Sequence, residues 1–119
     1  MLVSGFFGSP LTWRSARTAL AAAGHPVYIV RLGFQFGNLR KYSEKLQVFL
    51  EENNISDCYL VCHSMGGLVA AHMGDRGRDR TRKIFTLGTP FRGHPLAILL
   101  PFTFAAWQMN PLSPFMRET

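Results

Sequence analysis

The stretch Tyr59-Leu60-Val61-Cys62-His63-Ser64-Met65-Gly66-Gly67 constrains this chain more than any other. A short apolar run rich in β-branched and aromatic residues reads as a buried strand. It passes without a linker into glycines and then Leu68, Val69 and Ala71, which read as a helix. The strand prediction covers Asp57 to Cys62, and the serine falls on the turn that follows. A strand-to-helix turn this sharp forces an unfavourable backbone conformation on the serine and lifts its hydroxyl above the sheet. Small residues are needed two positions before and two after it. Gly66 meets the second requirement, and Cys62 stands at the first with a Cβ and a sulfur. The competing reading is an ordinary strand-turn-helix with an exposed serine.

The rest of the chain repeats the alternation. Leu2-Val3 is a strand stub, and Gly5, Gly8 and Pro10 mark the loop after it. Thr12 is placed to cap a helix whose face carries Trp13, Ala16, Leu20 and Ala23, with Gly24 and Pro26 as its stop. Pro26 to Arg31 reads as a second strand, and residues 32–38 as a loop that Phe34 and Phe36 close over the core. A helix from about Arg40 to Asn53 presents Tyr42, Leu46, Phe49 and Leu50. Asp75 to Arg82 reads as a loop and Lys83 to Leu87 as a fourth strand, ended by Gly88-Thr89-Pro90. One short helix is expected near residues 96–109. The order βαβαβαβ, with connections of crossover length, predicts an α/β fold: a parallel sheet with helices on both faces. The 119 residues form one domain with no internal boundary and no repeat. A globule of this size buries roughly 65–70% of the surface of its extended chain.

Charge and cysteines narrow the function classes. The net charge is +6, and Arg76, Arg78, Arg80, Arg82 and Lys83 supply much of it. Such a run can meet phosphates or an anionic membrane, but no nucleic-acid module surrounds it, so the expectation is a solvated loop and no nucleic-acid partner. Cys58 and Cys62 share one strand. Four residues of strand span about 13 Å. A disulfide needs Cα atoms within about 7 Å. The two therefore do not bridge, which fits a reducing compartment, and no further cysteines complete a metal site. The N-terminus lacks the basic start of a signal peptide, and no run reaches the length of a membrane span. The expectations are a cytoplasmic chain with no transmembrane segment, no cofactor and no metal. The apolar stretch Pro95 to Trp107 leaves interfacial membrane contact open.

Three islands together resemble the lipase and esterase branch of the α/β-hydrolase superfamily. Ser4-Gly5-Phe6-Phe7-Gly8 resembles the His-Gly-containing oxyanion loop after the first central strand. Val61 to Ala70 resembles the nucleophile elbow and its helix, and Leu87-Gly88-Thr89-Pro90-Phe91-Arg92-Gly93 resembles a loop of bacterial lipases. Gln108 to Met116 resembles the lid-proximal segment of that branch. The resemblance implies that Ser64 is the catalytic nucleophile and that the N–H groups of Phe6 and Met65 form the oxyanion hole. Gly5, His63 and Gly66 support the turn. It implies a small-molecule ester or lipid substrate. Ser4 and Phe91 stand where that branch often has histidine.

Acyl transfer by serine needs a base, oriented by an acid, and the family places both after the nucleophile. Here the residues after Ser64 include Asp75, Asp79, His72, His94 and Glu118. Both aspartates are expected toward the far end of the sheet. His72 lies on the elbow helix, about 12 Å from Ser64 at 1.5 Å per residue. His94 follows the fourth strand at the same end as Ser64 and is the candidate base, against the reading of a loop histidine. The expectation is therefore a truncated hydrolase domain, with its fourth strand an open edge that invites self-association. Two functions follow: a carboxylic-ester hydrolase, or an inactive hydrolase fragment that binds or is completed by a partner.

Overall fold

A computed structural model of the chain describes residues 1–5, 10–33, 37–93, 108–109 and 113–117. Four strands pair in parallel: β1 (Leu2–Val3), β2 (Ile29–Val30), β3 (Cys58–His63) and β4 (Thr81–Leu87). Their order across the sheet is β2-β1-β3-β4. Leu2 aligns with Ile29 on one side and Val61 on the other, and Leu60 aligns with Ile84. The fold is thus of the α/β class, a parallel sheet with helices.

Helices make the crossovers. A 3₁₀ turn (Pro10–Trp13) leads into α1 (Arg14–Ala22), which links β1 to β2. The connection from β2 to β3 runs back past β1 through α2 (Leu39–Glu52). Right-handed crossovers in opposite directions place α1 and α2 on opposite faces of the sheet. They also make the β1/β3 boundary a switch point, where the loops leaving two neighbouring strands diverge. Open α/β sheets bind ligands in the crevice at such a point, at the carboxyl ends of the strands. After β3 come α3 (Gly66–Ala71) and a single turn, α4 (Asp75–Arg78); α5 (Pro114–Arg117) lies near the end.

The core lies between the sheet and the α2/α3 layer. Leu39, Tyr42, Leu46 and Leu50 of α2 are buried against Val3, Val30, Leu60 and Cys62 from the strands and Leu68 and Val69 from α3. Each leucine taken fully out of water contributes roughly 1.5–3 kcal/mol. Phe115 and Met116 of α5 join this cluster. Ser43, buried in the same face, donates to the Leu39 carbonyl at 3.1 Å, which satisfies its hydroxyl. Asn38 caps α2 by accepting from the Arg40 N–H. At the other end Asn54 takes a left-handed φ of 48°. Its N–H bonds to the Glu51 carbonyl and that of Ile55 to the Leu50 carbonyl. That double closure is the Schellman ending. Among the described residues the opposite face is thinly covered: no residue of α1 is buried, and Tyr59, Phe85 and Leu87 are exposed.

Several local expectations shift. Trp13, not Thr12, precedes α1, and no side chain caps it, because a 3₁₀ turn feeds the helix directly. Of residues 26–31 only Ile29 and Val30 pair, since β1 offers two residues to pair with. Residues 75–82 are largely exposed, as expected, but they are not a loop. Asp75 opens α4, and β4 begins at Thr81, opposite Cys58. The arginines of this run have local partners: Arg76 faces Glu51 at 3.5 Å and Arg82 faces Asp57 at 2.9 Å. Arg78 and Arg80 donate to the carbonyls of Met73 and Ile55. Phe34, Phe36 and most of the helix expected at 96–109 lie outside the described residues. No helix among the described residues is long and apolar enough to cross a membrane.

Candidate active site

Ser64 lies between the last residue of β3 and the start of α3, with φ at 54°. A side-chain-bearing residue pays roughly 1–2 kcal/mol for the left-handed conformation, so neighbouring contacts must hold it there. Three hydrogen bonds do so. The Ser64 N–H donates to the Leu87 carbonyl at 2.8 Å and continues the β3–β4 ladder into the turn. The Ser64 carbonyl accepts from the Gly67 N–H at 3.2 Å and from the Thr89 hydroxyl at 2.8 Å. The serine itself is half-buried, and among the described residues no side chain hydrogen-bonds its Oγ.

The loop after β1 presses against this turn. A Cβ built on Gly5 would lie 2.7 Å from the Ser64 Cβ and 2.9 Å from the Met65 nitrogen. One on Gly66 would lie 2.7 Å from the Val3 carbonyl oxygen. Backbone therefore meets backbone at the β1/β3 switch point, and only hydrogen fits at these two places. Cys62 fills a different space: its side chain is fully buried in the core with Val3 and Leu60. Burial pushes its thiol up to about 12, so it stays protonated and is no competing nucleophile near neutrality. Burial, as the largest cause, also raises the Cys58 thiol.

Ser4 and His63 share a further contact through Trp13. The indole Nε1 of Trp13 donates to the Ser4 Oγ at 2.8 Å, and the bond is buried. The His63 ring meets the indole edge-on, with centroids 6.4 Å apart. A serine thus anchors the start of α1 to the end of β1, where the resemblance leads one to expect a histidine. The Trp13–Ser4 contact and the Thr89 bond were not readable as such in the sequence. The only signal for Thr89 was its place in the Gly88-Thr89-Pro90 island.

The remaining expected residues divide. Met65 is the N-cap residue of α3, where a helix has no acceptor of its own for its first amides, and its side chain is fully buried. Phe6 and His94 lie outside the described residues, as does Glu118. His72 stacks on Phe115 at 3.9 Å and is occupied in packing. Asp79 precedes Arg80, whose carbonyl accepts from the Cys58 N–H at the opposite end of β3. Six residues of strand put that end about 20 Å from Ser64. Asp75 opens the one-turn helix α4, which ends just before Asp79. Among the described residues no three His, Cys, Asp or Glu side chains gather into a metal site.

A parallel sheet joined by helices, with a sharp strand-to-helix turn at its switch point, is the architecture of a doubly wound α/β protein. The chain belongs to the alpha/beta hydrolase family, whose model matches residues 1–118. No curated protein matches it.

Proposed function

We propose that this chain carries the nucleophile and oxyanion side of a carboxylic-ester hydrolase of the lipase or esterase kind, with Ser64 as the nucleophile. The observation that carries the reading is the left-handed Ser64 at the strand-to-helix turn, with the Gly5 backbone packed on it. In the reaction the Ser64 Oγ attacks the ester carbonyl and its proton passes to a base. The carbonyl oxygen becomes an oxyanion held by the N–H of Met65 and, from the loop after Gly5, that of Phe6. Collapse of the tetrahedral intermediate expels the alcohol, which takes the proton from the base. Water then releases the acid by the same steps in reverse. His94 is the proposed base.

The test is covalent. A fluorophosphonate probe should label Ser64 in the purified chain, located by peptide mass spectrometry, and Ser64→Ala should abolish both labelling and turnover of short acyl esters. An unlabelled Ser64 with no ester turnover overturns the reading. The second reading is a non-catalytic binding module. It is favoured by the lack of a hydrogen-bond partner for the Ser64 Oγ among the described residues, and it predicts that Ser64→Ala changes nothing.

A further inference from the structure

We infer that Thr89 is a positioning residue for the elbow, acting through its hydroxyl on the Ser64 carbonyl; the inference rests on the hydrolase reading above. The strained serine is tied on both sides of its own Cα, to the last residue of β4 and to the turn that follows it. Its N–H is held by the Leu87 carbonyl and its C=O by the Thr89 hydroxyl, each at 2.8 Å. Between those two anchors Gly88 takes φ of 61°, a left-handed step that turns the chain out of the strand. The turn brings the Thr89 side chain back over the start of α3. It packs so closely there that a Cβ on Gly67 would run into the Thr89 hydroxyl and would sit 2.6 Å from its Cγ2. The Phe91 N–H in turn donates to the Thr89 carbonyl, and Gly93 to that of Pro90, so the anchor itself is held in a turn.

Without the hydroxyl, the Ser64 carbonyl keeps only the longer bond from Gly67. A backbone held in a sparsely populated conformation relaxes when an anchor is lost, and the side chain on it moves. The hydroxyl bond fixes the orientation of the Ser64 peptide, and so where its Oγ points relative to the Met65 amide. Thr89 does not touch a substrate in this role. Its effect falls on the reacting geometry rather than on substrate affinity.

Three variants separate hydrogen bonding from packing. Thr89→Val keeps the shape and removes the donor, Thr89→Ser keeps the donor and removes the methyl group, and Thr89→Ala removes both. Labelling of Ser64 by the fluorophosphonate probe and hydrolysis of a p-nitrophenyl ester are measured per folded molecule, with folding followed by circular dichroism. Thr89→Val should slow labelling and lower kcat about tenfold with KM little changed, and Thr89→Ser should stay within about twofold of the parent. If Thr89→Val does not fold, the comparison of Thr89→Ala with Thr89→Ser carries the same contrast. A labelled parent with equal rates in all variants, or Thr89→Ser as slow as Thr89→Val, overturns the positioning role alone. An unlabelled parent overturns the hydrolase reading, and this inference with it.

Discussion

A methyl group at position 66 would sit 2.7 Å from the Val3 carbonyl oxygen, and backbone cannot yield as a flexible side chain does. Gly66→Ala must therefore push β1 and β3 apart at the point where Ser64 stands. The expected cost is about 1–3 kcal/mol, read as a lower denaturation midpoint, together with slower probe labelling of Ser64. Cys62 gives a pH dependence of a different origin. Its folded thiol is raised from 9.0 to about 12 by burial. A raised folded value means the folded chain holds its proton after the unfolded chain has lost it. The stability is thus complete below pH 9 and declines as pH rises through the window from 9 to about 12. The slope reaches at most about 1.4 kcal/mol per pH unit for this one proton. Urea titrations across that window should show a shallower decline in Cys62→Ala than in the parent.

At the level of elements, α2 is the best-defined helix, with a cap at each end and one buried stripe. Asn38→Ala removes the acceptor for the Arg40 N–H and should cost about 1 kcal/mol in denaturant titration. This helix was legible because its leucines recur at helical spacing and Asn53-Asn54 ends it. The elbow was legible for a similar reason, since an apolar strand running straight into glycines leaves a serine few conformations. Other elements were hidden by contacts that no local pattern encodes. Thr81 and Arg82 read as part of a charged loop, yet the ladder to β3 recruits them, and Arg82 pairs with Asp57 there. Ile29 and Val30 pair only as far as the two-residue β1 allows. The hydroxyls of Ser4 and Thr89 found partners distant in sequence, Trp13 and Ser64, that spacing alone does not reveal.

For the whole molecule, the sheet has two unequal faces. One is closed by α2 and α3; the other leaves Tyr59, Phe85 and Leu87 exposed at 45%, 43% and 51%. The Tyr59 and Phe85 rings lie 6.1 Å apart across neighbouring strands, so the apolar surface is continuous there. Beside it β4 is an edge strand among the described residues. Apolar surface next to an unpaired edge favours association, and a net charge of +6 opposes it. Sedimentation velocity should show a mass that rises with protein concentration and with salt, which screens the repulsion. Phe85→Lys should shift the chain toward monomer, and an unchanged profile in that variant would remove this face from the contact. The same edge bears on the site, because the amide of Ser64 is the final rung of the β3–β4 ladder. Deuterium uptake at that single proton therefore times the fraying of the sheet margin, and each such opening frees the serine from one of its anchors.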